Sequence, residues 1–395
     1  MTKPRTGLIL FKGRQAGRLT ETATGGSVFV YDDGFEEDIA CTLPTAQREH
    51  AWPVGLPPFF QHLGPEGWLR ARQARTGEIA DQDDLGLLLR YGQDCIGAVS
   101  VEDLAPPAAP DGRALDALTQ AAVEAKRTIS GVQPKLLARR EGDRLVHAGV
   151  TGPAPLIAKF PTDDLPSLVP NEYLSMEAAR LLLGKDEVAP TERGQIDGLD
   201  LPALIIERFD RTPTGDKLRL EDFAQILAKP RGLDFSGKYD AGFEDIGAAL
   251  QRHSARPIID LARFFERVVA FALLGNCDCH LKNFSLLETA DGLRLSPAYD
   301  VVNTYIYGRQ GYSTHFGLRV DGHAIQWDQV GRDVLTALGR RLGLQDSAVK
   351  RTFLRLAGRK DALLARLRPN VPVEPDDWRE LYRATVVEAC GRILP

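Results

Sequence analysis

Apolar and polar positions alternate in short runs at the start of the chain. "GLILF" at 7–11 and "SVFVY" at 27–31 are apolar and β-branched, which predicts strands between residues 7 and 31; "GRQAGRL" and "TGG" read as turns. Polar helices and loops follow through "FFQHLGPEGWLRARQA" and "QDDLGLLLRYG". The run "EDLAPPAAPDG", residues 102–112, is rich in proline and alanine without a period and reads as a linker. Beyond it, "ALTQAAVEAKRTISGVQPKLLARREGDRLVHAG" predicts a short helix, a tight turn and a strand pair joined around residues 141–143. "PLIAKFP" predicts a strand stopped by Pro161. "VPNEYLSMEAARLLL" has apolar residues at helical spacing and predicts a helix ended by Gly184, and "ALIIERFDR" predicts a further strand. From Glu221 onward helical patterns dominate, among them "LEDFAQILA", "IIDLARFFERVVAFALLG" and "SAVKRTFLRLAGRKDALLARLR". A β-rich part followed by an α-rich part predicts an α+β protein of two lobes with a cleft between them. The expected division is 1–105 for an N-terminal β-rich subdomain, 106–212 for a β-rich lobe and 213–395 for a helical lobe.

Composition narrows the class. At 395 residues the chain exceeds one ordinary core, so two or three domains are expected. An apolar fraction of 43% and a charged fraction of 26% are those of a soluble globular protein. A net charge of −5 gives no argument for nucleic acid or for a membrane, so any nucleic-acid contact would come from a local basic patch. The N-terminal apolar run at 7–11 is too short for a signal-peptide core, and the longest apolar stretch, 268–274, is far below membrane-spanning length. A cytoplasmic protein with no membrane partner is expected. The cysteines (Cys41, Cys95, Cys277, Cys279, Cys390) are an odd, scattered set that fits reduced thiols, not a disulfide framework.

The densest chemistry lies in "GNCDCHLKNFSLL", residues 275–287. Cys277, Cys279 and His280 are soft metal ligands by type, but C-x-C-H is not the spacing of a usual zinc knuckle and no second Cys/His cluster completes a set of four. The plain alternative makes both cysteines small buried apolar residues. Asp278 precedes Asn283 by five positions, the spacing at which a kinase catalytic loop sets its base and a magnesium-holding asparagine. The chemistry requires that pairing: a phosphoryl group needs metal ions beside its charge, and a carboxylate within reach of the attacking oxygen. A lone D-x4-N is weak, and three features strengthen it. "SPAYDVVN" supplies Asp300 after an apolar strand, and "PLIAKFP" ends a β-run on Lys159. The following helix offers Glu172 and Glu177, either of which could orient that lysine. The order is lysine strand, acidic helix, strand, D-x4-N loop, aspartate, which is the kinase order.

Taken together, "TISGVQPKLL", "LIAKFP", "NEYLSMEAARLLLG", "ERFDR", "NCDCHLKNFSLL" and "SPAYDVVN" resemble the HipA family, serine/threonine kinase toxins of bacterial toxin–antitoxin pairs. The resemblance implies a two-lobed protein-kinase-like fold with an N-terminal β-rich subdomain and a helical C-terminal lobe. It implies Asp278 as catalytic base, Asn283 and Asp300 as magnesium holders, and Lys159 on the nucleotide phosphates. Ser130, Gly131, Val132, Gln133, Pro134 and Lys135 would form the loop over the phosphates. Glu207, Arg208 and Phe209 would be the hinge facing adenine, with His280 and Lys282 beside the nucleotide and the transferred phosphate. ATP and Mg²⁺ are the implied cofactors. The implied partners are a HipB-type antitoxin, operator DNA through the antitoxin complex, and an aminoacyl-tRNA synthetase as protein substrate. Autophosphorylation in the phosphate loop is implied too, with Thr128 and Ser130 as candidates. The loop has one glycine where eukaryotic-type kinases have three, and Ala298-Tyr299-Asp300 stands in place of D-F-G.

Two other readings remain. A small-molecule phosphotransferase of the aminoglycoside-kinase type shares the D-x4-N loop and later aspartate, but lacks the "SGVQPK" loop. A DNA-binding co-repressor partner with little catalysis would use the basic stretch 339–368, with Arg340, Arg341, Lys350, Arg351, Arg355, Arg359 and Lys360. The bland reading of that stretch is a solvated helix face.

Overall fold

The N-terminal apolar run becomes an inner strand of a five-stranded antiparallel sheet. The computed structural model describes residues 4–106, 115–129, 131, 133–149, 152–368 and 377–395. The first sheet contains β1 (Thr6–Phe11), β2 (Arg14–Glu21), β3 (Ser27–Tyr31), β4 (Glu49–Trp52) and β5 (Val99–Asp103) in the order β4-β3-β2-β1-β5. Ile9, Phe11, Ala16, Leu19, Phe29 and Tyr31 point to one face, where Phe59, Phe60 and Leu88 cover them. The turn expected at "GRQAGRL" is instead strand β2. Arg14, Gln15 and Arg18 face outward while Ala16 and Leu19 are buried, and pairing on both sides holds a stretch whose glycine and charges hide its period.

The second sheet has β6 (Lys135–Glu141), β7 (Arg144–His147), β8 (Leu156–Lys159), β9 (Thr191–Gln195) and β10 (Pro202–Glu207), in the order β7-β6-β8-β10-β9. Its core is Leu136, Ala138, Ala158, Phe160, Ala203 and Ile205. A short strand β11 (Leu220–Asp222) leads into the turn of helix Phe223–Ile226. Asp222 and Gln225 open that turn with a reciprocal capping box, and only Phe223–Ile226 of "LEDFAQILA" is helical. Contacts gather Met1–Asp163 and Arg193–Gly237 into one unit, and Asp164–Glu192 and Lys238–Pro395 into a second.

The second unit is mainly helical. It contains helices Leu168–Leu183, Phe243–His253, Pro257–Leu273, Arg332–Arg341, Asp346–Ala357, Lys360–Arg366 and Trp378–Ile393, with a hairpin of β12 (Ser285–Thr289) and β13 (Gly292–Leu295). Pro257 opens its helix at the first turn, where a missing N–H costs nothing. Every residue from Val268 to Leu274 is fully buried, so the longest apolar stretch is the core helix of this unit. Phe264, Phe271 and Phe243 converge on Phe284, with Phe264–Phe284 ring centroids 5.2 Å apart. Each buried ring contributes roughly 1.5–3 kcal/mol, which fixes where the loop before Phe284 begins and ends. Among the described residues, no helix is long and apolar enough to cross a membrane.

Part of the basic stretch 339–368 is paired. Arg340 pairs with Asp346 at 2.7 Å, Arg341 with Asp321 and Arg355 with Glu266, while Arg359 donates to the Leu182 carbonyl. Lys350 and Arg351 stay exposed. The pattern favours a solvated helix face.

Candidate active site

Helix Pro257–Leu273 sets the loop that follows it. Gly275 turns the chain at φ 70°, and a side chain there would collide with Asn303 Oδ1 at 2.6 Å. The loop is then tied at several points. Cys277 N–H donates to Thr304 Oγ1 at 2.9 Å, Asp278 N–H to Asn276 Oδ1 at 3.1 Å, and Asn283 N–H to the His280 carbonyl at 3.0 Å. The backbone is thus fixed without using the Asp278 carboxylate, which is exposed.

Cys277 and Cys279 are buried and their thiols donate to the carbonyls of Thr314 and Asn276. Burial, with the Asp278 charge adding to it, pushes the Cys277 thiol well above its ordinary range, and burial does the same to Cys279. Thiols held protonated are poor nucleophiles at neutral pH. Among the described residues no group of three or more His, Cys, Asp or Glu side chains gathers as a metal cluster.

Asn283 and Asp300 do meet. Asn283 Nδ2 lies 3.3 Å from the Asp300 carbonyl and 3.4 Å from its Oδ2. Asp300 sits at φ 58°, a left-handed backbone that costs a non-glycine residue energy and that recurs at functional sites. Asn283 Oδ1 is a buried acceptor with no hydrogen-bond partner. Nδ2 is the amide atom turned to Asp300; with the amide turned over, Oδ1 would join that carboxylate in a hard-oxygen set of the kind Mg²⁺ takes, alongside substrate phosphates. Nearby, Lys282 is buried and its carbonyl accepts from Tyr299 Oη at 2.7 Å. His280 is also buried, and its ring meets Tyr239 edge to face at 5.1 Å.

In the other unit the expected phosphate residues cluster around β6 and β8. Lys135 and Lys159 are direct partners across that strand pair, and both are buried. Gly131 has φ 111°, a backbone that favours glycine, and Lys135 Nζ lies where a side chain on it would begin. Gln133 Nε2 donates to the Phe160 carbonyl at 2.8 Å, and Phe160 N–H to the Pro134 carbonyl at 2.9 Å. Ser130 and Val132 lie outside the described residues. Thr128 is fully buried, and its N–H donates to the Asp94 carbonyl. Its hydroxyl can reach a phosphate only if this part of the loop leaves its seat.

The hinge residues part company. Glu207 is exposed at the end of β10 and Phe209 is half-buried. Arg208 is instead a structural ion: Nε and Nη2 both donate to Asp210 at 2.9 Å, and its N–H goes to the Pro155 carbonyl at 2.8 Å. Its guanidinium is therefore spent on the fold and not on a nucleotide. It belongs to a buried ionic cluster in which Asp94 and Asp210 are set among Arg127, Arg208, Arg211 and Lys217. Sequence reading also missed Tyr239, whose hydroxyl donates to Asp278 Oδ1. The two proposed partners of Lys159 differ in setting: Glu172 is fully buried, and Glu177 is half-exposed beside Arg180 at 3.8 Å.

Comparison with known proteins matches both parts of the chain. The HipA-like C-terminal domain model matches residues 127–362, and the HipA N-terminal domain model residues 8–102. The chain is 32% identical over 352 residues to the putative kinase Y4dM of Sinorhizobium fredii, covering 80% of this chain and 82% of that protein. It is 26% identical over 286 residues to the serine/threonine-protein kinase toxin HipA of Shewanella oneidensis, covering 68% of this chain and 64% of that one. In three dimensions it is similar to a chain of the Shewanella oneidensis MR-1 complex of HipA, HipB and operator DNA. The TM-score is 0.75 at 19% identity, over 99% of this chain and 97% of that chain, a likeness of fold.

Proposed function

The chain belongs to the HipA family, and from that premise we propose that it is the serine/threonine kinase toxin of a toxin–antitoxin pair, using ATP and Mg²⁺ to phosphorylate a protein. Its fold is the two-lobed, kinase-like α+β class. The observation that carries the reading is the meeting of Asn283 with Asp300, five residues beyond an exposed Asp278.

In this reading Asp278 accepts the proton of the acceptor hydroxyl as its oxygen attacks the γ-phosphorus. Asn283 Oδ1 and the Asp300 carboxylate would hold Mg²⁺, which when bound would neutralise phosphate charge. Lys135 and Lys159 hold the nucleotide phosphates. Like charges directly opposite destabilise a strand pair, and a polyphosphate between them reverses the sign. Gly131, Gln133 and Pro134 keep the loop close to that pair; Ser130 and Val132 are proposed with them as nucleotide-contacting residues. Glu207 and Phe209 face adenine, while His280 and Lys282 lie beside the transferred phosphate.

The target class is an aminoacyl-tRNA synthetase, whose modification would stall translation. The partner is a HipB-type antitoxin, with operator DNA reached through that complex. Phosphorylation at Thr128 or Ser130 would add about −1.5 to −2 charge beside the nucleotide and silence the enzyme.

The deciding experiment incubates the purified chain with γ-labelled ATP and a bacterial lysate, then maps phosphosites. Label on serine or threonine of a protein, dependent on Mg²⁺, is the expected result, with self-label between Arg127 and Lys135. Transfer only to hydroxylated small molecules would replace this reading with a small-molecule phosphotransferase. Asp300→Asn is expected to weaken Mg²⁺-dependent nucleotide binding by at least the roughly 10- to 100-fold typical of disturbing a metal ligand's support. Titration calorimetry with and without Mg²⁺ measures it; equal affinity in both would remove Asp300 from the metal site.

A further inference from the structure

We propose that Tyr239 is a built-in occupant of the acceptor position on Asp278, which an incoming hydroxyl must displace before phosphoryl transfer. The inference rests on the reading of Asp278 as the base. A base must lie within hydrogen-bond reach of the hydroxyl whose proton it takes. Among the described residues, the hydroxyl that donates to Asp278 Oδ1 belongs to this same chain, 39 positions upstream. It is the functional group a serine, threonine or water would bring.

The surroundings distinguish an occupant from a fixed orienting residue. A tyrosine that orients a catalytic carboxylate permanently is expected to be buried. Tyr239 is 38% exposed, on the short helical turn Ser236–Tyr239, none of whose residues is buried. Lys238 Nζ lies 5.3 Å from the ring centroid, on the same turn. The ring rests edge-on against His280, which aims the hydroxyl at the base. Its backbone is tethered immediately downstream, where Ala241 N–H donates to the Tyr239 carbonyl at 2.9 Å and Arg319 N–H to the Ala241 carbonyl at 3.2 Å. The side chain can therefore swing off the base while its own segment stays in place. One oxygen of the idle base is thus occupied, and an incoming hydroxyl competes with Tyr239 for it.

Water is the simplest acceptor and needs no knowledge of the protein substrate. Its oxygen bonds to the γ-phosphorus as the bond from that phosphorus to the β–γ bridging oxygen breaks. Its proton passes to Asp278 and then to solvent, and ADP leaves. Tyr239→Phe keeps the ring on His280 and removes the competing hydroxyl. ATP hydrolysis by the full chain should rise about tenfold, the worth of one lost hydrogen bond to a charged group. Adding Asp278→Asn should remove the increase. ATP affinity, measured in parallel, separates two failures. If both proteins bind ATP and Tyr239→Phe hydrolyses it at the wild-type rate or slower, the occupant role is overturned. If wild type binds no ATP, the kinase reading beneath it falls, and this inference with it.

Discussion

Asp278→Asn should retain ATP binding and lose phosphoryl transfer by about 10²- to 10⁴-fold, the contribution of a positioned general base. That is about 3–5 kcal/mol of barrier. The fold should tolerate the change. The loop is held by backbone bonds from Cys277, Asp278 and Asn283, and the carboxylate itself is exposed with Tyr239 on one oxygen. Asparagine matches aspartate in shape and can still take that contact, so melting temperature should hardly move. What it cannot do is accept the proton of the attacking hydroxyl. In cells, induction of the wild-type chain should arrest growth and induction of Asp278→Asn should not. Equal arrest by both, with equal protein levels, would place the harm outside phosphoryl transfer.

The parts of this site legible in sequence are those built from one short segment. Asp278 and Asn283 share a loop, so their spacing alone brings them to one place. Lys159 ends an apolar strand, and helix Leu168–Leu183 has a clear period closed by Gly184. What stayed hidden depends on contacts between distant segments. Tyr239 carries no motif, and nothing in "SGKYD" says that it reaches residue 278. Charged residues read as surface by default, yet Arg208 and Asp210 are buried because Arg211, Asp94 and several carbonyls meet them. At 339–368 the reading of a solvated helix face agrees with the structure, but the pairing of Arg341 with Asp321 and of Arg355 with Glu266 could not be seen along the chain. Cys277 and Cys279, beside Asp278, read as small buried apolar residues, and both are buried.

The buried ionic cluster should yield the largest stability effect. Asp210 accepts from Arg208 twice at 2.9 Å, from Arg211 Nη1 at 2.8 Å and from Gly97 N–H at 2.7 Å, with almost none of it exposed. Two carboxylates are shared among four cations, so the cluster has no spare anion. Asp210→Asn keeps the shape and deletes one charge, leaving Arg208 and Arg211 buried with Asp94 alone. Breaking a buried pair in this way costs about 3–5 kcal/mol. Burial by itself would raise the Asp210 pKa; the charge and hydrogen bonds of Arg208, then Arg211, outweigh it and hold the group below the ordinary carboxylate range. A pKa depressed in the folded state contributes stability that is present above the unfolded value, about 3.9, and is lost as pH falls through the folded one. Wild type should therefore lose stability progressively below about pH 4 through this group, and Asp210→Asn should lack that part of the acid limb. Urea denaturation at pH 7 and again at descending pH measures both effects. A variant as stable as wild type at pH 7, or one with the same acid limb, would mean that the cluster's carbonyls and remaining carboxylate already satisfy Arg208. Replacing Arg208 and Asp210 together by leucine should cost less than the sum of the single changes, because neither then leaves its partner's charge behind.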